Sequence, residues 1–249
     1  SSTLSTVVDG LLETPLSQIT LAGATVKGRD IALVAQGSDR LGFDKQATAR
    51  IEISDSVLQG RHIDIQAIAD TSLLPAVEDP SGAIDLEDLL DFVNPFDATP
   101  FVSFSASQAA VTLDGSQLTA TGDINVDVEA TSKAKSLTSF YAVAVGYGYS
   151  DAEANTQVTG NSRLSALGGE LSLTATTNNV VQVQADSAAT NKPIAATWAQ
   201  SDVYGETRVS TGDAVVMKAN EINLATSTNL DITTQATATE RGASSAAMA

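Results

Sequence analysis

An internal repeat of short alternating strands constrains the fold of this chain more than any other feature. The pattern of residues 19–33 recurs in residues 51–65 with a constant offset of 32 positions. Apolar residues occupy every second position in each copy, which is the period of a β-strand and not of a helix. Three later copies begin at Val111, Val158 and Val209, spaced 47 and 51 residues apart.

Such a repeat predicts an all-β fold, a parallel β-helix. A single copy cannot bury its own apolar face, whereas copies stacked on one another bury a continuous core. Equivalent residues such as Ile31 and Ile63 should then lie one above the other, about 4.8 Å apart. Parallel crossovers are almost always right-handed, which favours a right-handed solenoid. Only 4% of the residues are aromatic, as expected if small aliphatic side chains fill a narrow core.

Breaks in the repeat divide the chain into four predicted parts. Residues 1–17 form an N-terminal cap, because Leu4, Val7, Val8, Leu11 and Leu12 follow the spacing of a short amphipathic helix. Residues 18–70 form the first coils of the solenoid. Residues 71–104 form an insertion rich in Pro and Phe, with a short helix near residues 84–93. Residues 105–249 form the remaining coils, which we expect to continue beyond this sequence.

Charge and composition exclude several classes of function. The chain has 13 Lys and Arg against 30 Asp and Glu, a net charge of −17, which repels the phosphates of nucleic acids. It has no cysteine, so disulfides, thiolate zinc sites and cysteine nucleophiles are excluded. One histidine cannot form a histidine-rich metal site. No apolar run is long enough for a transmembrane span.

The repeats resemble those of a known class of proteins. The phrase from Gly115 to Val126 and the segment from Asp151 to Gly160 are similar to the coils of giant bacterial filamentous adhesins and haemagglutinin-like exoproteins. The resemblance implies a β-helical shaft that is secreted, attached to the cell surface and not an enzyme. The expected partners are host or matrix glycans or proteins. The strand-like C-terminal segment further suggests that copies could stack end to end in a filament.

Two arginines form the first candidate binding site. Arg29 and Arg61 occupy the same position in consecutive copies, so they should stack on one side of the solenoid. Two guanidinium groups could bind a carboxylate or sulfate of a sugar. The alternative is that Asp30 and Asp64 neutralise them.

Aromatic residues form the second candidate site. Tyr147 and Tyr149 alternate with two glycines, so both rings point to the same side of a strand. With Trp198 and Tyr204 they could form a platform on which sugars stack. The alternation alone leaves open whether this side faces solvent or the core. In the insertion, Phe92 and Phe96 are the candidate recognition residues.

Clusters of carboxylates leave two alternatives open. They lie in residues 78–91 and at Asp123, Asp127 and Glu129. Paired carboxylates near Arg163 or Lys133 would suit an enzyme that cleaves polysaccharides, if they shared one groove. No cofactor is predicted, although calcium would suit such oxygen ligands and a calcium-stabilised carbohydrate-binding module remains an alternative. A charged, solvated surface is the simplest interpretation of both clusters.

Overall fold

Parallel strands dominate the structure of this chain. The computed structural model describes residues 16–39, 44–72, 102–141, 143–190, 194–241 and 244–248, and this part contains sixteen strands and no helix. The strands are β1 (Leu16–Ala22), β2 (Thr25–Lys27), β3 (Asp30–Ser38), β4 (Asp44–Ser54), β5 (Val57–Gly60), β6 (His62–Asp70), β7 (Val102–Asp114), β8 (Gln117–Ala120), β9 (Ile124–Tyr141), β10 (Val143–Thr159), β11 (Arg163–Ala166), β12 (Glu170–Thr190), β13 (Ile194–Thr211), β14 (Val216–Lys218), β15 (Glu221–Arg241) and β16 (Ser244–Met248).

The strands form three sheets, and the chain visits each sheet once per coil. Sheet A contains β1, β4, β7, β10, β13 and β16. Sheet B contains β2, β5, β8, β11 and β14, and sheet C contains β3, β6, β9, β12 and β15. All neighbouring strands pair in parallel. Five consecutive coils, each of three strands, are therefore described, and the predicted parallel β-helix is confirmed.

The register agrees with the repeat found in the sequence, with one correction. Ile31 pairs with Ile63, as predicted, and the spacings of 47 and 51 residues hold in sheet C. In sheet A the spacings are different, because Val158 pairs with Leu113 and Thr211 rather than with Val111 and Val209. Paired residues of coils 3 and 4 are 45 positions apart in sheet A, 46 in sheet B and 47 in sheet C, so each of the two corners of coil 4 contains one extra residue. The total shift of two positions is even and leaves every side chain on its predicted face.

Stacked aliphatic side chains form the main core. Ile51, Ile63, Leu113, Leu118 and Leu171 are completely buried, and each contributes about 1.5–3 kcal/mol by burial. No aromatic ring is buried among the residues whose side chains the structure describes. The predicted alternation is confirmed on β9, whose valines point inward and whose acidic residues point outward.

Three serines stabilise the corner between sheets A and B. The amide of Ala24 donates to Ser56 Oγ at 3.0 Å, that of Ser56 to Ser116 Oγ at 3.2 Å, and that of Ser116 to Ser162 Oγ at 3.1 Å. All three serines are buried. We call Ser56, Ser116 and Ser162 the serine ladder. Beside it the backbone turns through positive φ in coils 1 to 4, at Asp55 with φ 47° and otherwise at Gly23, Gly115 and Gly160.

Coils 3 to 5 are wider than coils 1 and 2, because their strands in sheets A and C extend past the main core. The extensions pack face to face around a second apolar cluster made of Ala134, Ala144, Val181, Val183, Ala185 and Ala199. We call this cluster and its strands the wing. Gly146 and Gly148 point inward here, and a Cβ on Gly148 would lie 2.7 Å from Val183 Cγ2. Glycine therefore allows the close approach of the two sheets.

A layer of polar side chains separates the main core from the wing. Ser132 Oγ lies 3.0 Å from Ser105 Oγ and 2.8 Å from Ser150 Oγ, and Ser150 Oγ lies 2.9 Å from Asn179 Oδ1. Lys45 lies at the same depth, 3% exposed, and its amine donates to the carbonyl oxygen of Thr71 at 2.8 Å. Burial, reinforced by the charge of Lys133, lowers the pKa of Lys45 to about 8, although Asp39 and Asp70 oppose the shift.

Several sequence predictions concern residues outside the described ranges. The helical segment of the predicted cap, residues 4–12, lies outside them, but residues 16 and 17 of that cap belong to β1. Most of the predicted insertion also lies outside, including Phe92 and Phe96. Strand β7 begins at Val102, three residues before the predicted start of the later coils. Within the described part, no helix has the length and apolar character needed to span a membrane.

Candidate functional site

Tyr147 and Tyr149 lie on the outer face of sheet A. The glycines that alternate with them point inward, so the interpretation that the rings stack within the solenoid is wrong. Counting by twos along β10 from the buried Val158 already places both tyrosines outside, and this signal was available in the sequence. The alternative that survives is the surface platform.

The platform is a cluster of four rings drawn from three coils. Phe104 lies 5.8 Å from Tyr147 and 6.0 Å from Tyr149, and Tyr149 lies 5.5 Å from Tyr204, measured between ring centroids. These distances are typical of stabilising aromatic pairs. Phe104 and Tyr204 are 43% and 58% exposed. Trp198 lies on the same outer face, in register with Val145. It precedes Tyr204 by six residues on β13 and lies outside the ring cluster.

Parallel register assembles the cluster from distant parts of the sequence. Phe104 on β7 pairs with Tyr149 on β10, and Asp151, two residues further along β10, pairs with Tyr204 on β13. Because adjacent strands lie about 4.8 Å apart, side chains in register on one face are within contact distance. Phe104 had been assigned to the insertion from the sequence, so its place in the cluster was missed.

Hydrogen bonds hold Tyr147 in one orientation. Its hydroxyl donates to Asp202 Oδ2 at 2.7 Å, and Gln200 Nε2 donates to both oxygens of the same carboxylate at 3.0 and 3.1 Å. Burial and the bond to Asp202 raise the pKa of Tyr147 to about 12, whereas the bonds from Gln200 and Tyr147 lower the pKa of Asp202. The ring therefore stays neutral, and its carboxylate partner ionised, near neutral pH.

Carboxylates lie beside the rings. Burial first, then the charges of Asp151 and Glu206, raise the pKa of Glu153. Gln108 Nε2 donates to Glu153 Oε2 at 3.2 Å. Asp151 and Glu153 follow Tyr149 at alternate positions on β10, so they share its face. The alternation of inward and outward residues along this part of the sequence also places both carboxylates on the face of Tyr149.

Two depressions lie along β7 on the outer face of sheet A, with volumes of about 270 and 220 Å³. Phe104, Ala106 and Tyr149 line the first, and Gln108, Ala110 and other residues line the second. Together they occupy the stretch of β7 from Phe104 to Thr112, about 26 Å at about 3.3 Å per residue. We call this the sheet A groove.

Arg29 and Arg61 are neighbours, as predicted, but they lie elsewhere. They occupy the corner between sheets B and C, which does not border sheet A, and the amide of Arg61 donates to the carbonyl oxygen of Arg29 at 2.6 Å. Asp30 lies 3.2 Å from Arg61 Nη2 and 3.8 Å from Arg29 Nε. Because Asp30 already neutralises them in part, this geometry favours the alternative of ordinary surface ion pairs.

The carboxylates considered for catalysis, Asp123, Asp127 and Glu129, line neither depression of the sheet A groove. Asp123 contacts His62, with Nδ1 3.4 Å from Oδ2, and accepts from the amide of Glu170. Asp127 accepts from the hydroxyl of Thr174 on the outer face of sheet C. Arg163 belongs to β11 in sheet B. Across the described ranges, no group of three or more His, Cys, Asp or Glu side chains could hold a metal ion; the acidic residues 78–91 lie outside these ranges.

Comparisons with protein-family models, with curated proteins and with solved structures found no match for this chain. The chemistry of the sheet A groove is therefore inferred from its rings, its carboxylates and the register that places them.

Proposed function

We propose that this chain is a rigid, non-catalytic segment of an extracellular bacterial surface protein, and that its sheet A groove binds carbohydrate. The observation that carries the proposal is the ring cluster beside the two depressions of the sheet A groove. The C–H groups on one face of a sugar ring pack well on aromatic rings, whose polar edges stay hydrated. Amide, carboxylate and guanidinium groups along the groove can pair with sugar hydroxyls.

The fold supports the structural half of the proposal. Continuous aliphatic stacks and the serine ladder connect each coil to the next, which makes a stiff support for a binding surface. The negative charge of the chain favours solubility and opposes lateral aggregation. Both properties suit the adhesive shaft that the resemblance of the repeats implies.

End-to-end association with a second copy remains a prediction. Sedimentation velocity over a range of concentrations tests this. A monomer at all concentrations would contradict it.

Binding on a glycan array tests the carbohydrate-binding proposal. The wild-type chain should bind a subset of glycans, and the double variant Tyr149→Ala/Tyr204→Ala should weaken that binding about tenfold or more. Leu167→Ala is the matched control, because Leu167 is an exposed apolar residue at a corner remote from the groove. Melting temperatures of all variants identify any loss through unfolding. The proposal fails if no glycan binds, or if the double variant binds as well as the control.

Cleavage of a polysaccharide is a second candidate, favoured by one observation. Glu153 has a raised pKa and lies beside Asp151 and Glu206, as expected of a general acid near other carboxylates. If the groove is catalytic, incubation with any glycan that it binds should release new reducing ends, and Glu153→Gln should abolish the release. Binding without any release would eliminate this candidate.

A further inference from the structure

Three of the four rings in the cluster have an aspartate in register on a neighbouring strand. Asp44 pairs with Phe104, Asp202 with Tyr149, and Asp151 with Tyr204. Register on one face of a parallel sheet places each carboxylate about 4.8 Å from the strand that carries its ring. Rings and carboxylates are therefore interspersed across four coils, from β4 to β13.

Both partners in this pattern attract positive charge. The face of an aromatic ring is negative and binds ammonium groups, more strongly where water is partly excluded. A carboxylate beside the ring adds direct Coulomb attraction. From the sequence and the register we infer that the sheet A groove selects glycans that carry free, protonated amines, such as polymers of glucosamine. This inference rests on the proposed carbohydrate-binding function and specifies its ligand.

The overall charge of the face agrees. Along the described strands of sheet A, seven carboxylates point outward, against the two guanidinium groups of Arg50 and Arg208. The outward carboxylates are Asp44, Glu52, Asp114, Asp151, Glu153, Asp202 and Glu206. Lys45 points inward and its amine is bonded to backbone carbonyl oxygens. An acidic glycan would be repelled from this surface, and a neutral one would gain nothing from its charge.

The carboxylates near the rings accept hydrogen bonds from neutral groups, Asp151 from the hydroxyl of Tyr149 at 3.4 Å and Glu153 from Gln108 at 3.2 Å. Among the described residues, Asp44, Asp151, Glu153 and Glu206 have no Lys, Arg or His nitrogen within ion-pair distance. Repulsion from Asp151 and Glu206 contributes to the raised pKa of Glu153. A bound ammonium group would relieve this repulsion, so its binding is favoured by both the rings and the acids.

Two matched oligosaccharides test the inference. Glucosamine hexasaccharide carries amines, and N-acetylglucosamine hexasaccharide of the same length has neutral amides. Calorimetric titration at about pH 6 keeps both the amines and most carboxylates charged. The wild-type chain should bind the glucosamine hexasaccharide at least about tenfold more tightly, and the preference should shrink as salt increases.

Two charge variants locate the preference. Asp44→Asn/Asp151→Asn retains both side-chain shapes and should reduce the preference to about threefold or less. Asp213→Asn/Asp231→Asn removes two exposed charges outside the sheet A groove and should retain it. If both variants lose the preference equally, net charge is responsible and the inference is overturned.

The outcomes for the inference and for the proposed function are distinguishable. Equal binding of the two hexasaccharides, lost in Tyr149→Ala/Tyr204→Ala, would overturn the amine inference and leave carbohydrate binding intact. Absence of binding to these and to every glycan on the array would overturn both. Preferential binding of the glucosamine hexasaccharide that depends on Asp44 and Asp151 would support both.

Discussion

Two buried serines give opposite predictions for the same substitution. Ser116 belongs to the serine ladder and is completely buried. Its hydroxyl accepts from the amide of Ser56 at 3.2 Å and lies 3.0 Å from the carbonyl oxygens of Ile53 and Asp114. Ser107 on β7 is 1% exposed, and its hydroxyl has no hydrogen-bond partner within the described ranges.

The expected magnitudes follow from what each substitution leaves behind. Ser116→Ala leaves a buried amide without an acceptor, which should lower the free energy of unfolding by about 1–3 kcal/mol. Ser107→Ala replaces an unpaired buried hydroxyl with hydrogen, so the free energy of unfolding should stay the same or rise by up to about 2 kcal/mol. Both variants lose the same atoms at the same depth, so the volume change cancels in the comparison.

Urea unfolding, monitored by circular dichroism, measures the change in global stability from the shift of the unfolding midpoint when the slope m stays constant. Hydrogen exchange adds a local measurement, because the amide of Ser56 should exchange faster in Ser116→Ala and stay protected in Ser107→Ala. If Ser107→Ala destabilises the chain as much as Ser116→Ala, hydrogen bonding at the corner does not hold the coils together. A change below about 0.5 kcal/mol in Ser116→Ala would contradict the reasoning as well.

Two further predictions concern the wing and the buried amine. Gly148→Ala should destabilise the chain by about 1–2 kcal/mol in urea unfolding, because the new methyl group would lie 2.7 and 2.8 Å from Val183 and Val181. Gly28→Ala, where no atom lies closer than 3.5 Å, should be tolerated, and equal effects of the two variants would contradict close packing of the wing. The pKa of Lys45 is lowered to about 8 from the usual 10.5. The protonated amine therefore lowers the free energy of unfolding below pH 8, and this destabilisation disappears as the pH approaches 10.5. Between pH 7 and 10 the free energy of unfolding of the wild type should therefore rise by about 2–3 kcal/mol relative to Lys45→Met, and parallel pH profiles would refute this.

Coils 1 and 2 show most clearly how much of the fold could be predicted from the sequence. The repeat from Ile19 to Leu33 and its copy predicted parallel pairing of Ile31 with Ile63, which the structure shows. In coil 4 the same reasoning misplaced Val158 by two positions, because corners accept an extra residue at little cost when it stays in solvent. The sequence predicted whether a side chain points inward or outward even in the coil where it did not predict the register between strands.

The candidate site could be predicted only in part, for the same reason. The sequence placed Tyr147 and Tyr149 together on one side of a strand. Because they alternate with inward residues, that side is the outer face. The pairing of Asp44 with Phe104 had no signal in the sequence, because residues 71–104 read as an interruption of the repeat. Lys45 was missed because its neighbours in sequence are ordinary strand residues.

The sequence by itself determined the strand period, the stacking of the coils and the inward or outward direction of most side chains. These properties depend on neighbours along the chain and on a repeat that must bury one face. Only the tertiary structure decided which outward residues meet across coils, and so created the sheet A groove. Register between coils depends on the lengths of corners and insertions, and these lengths leave the burial of the core unchanged.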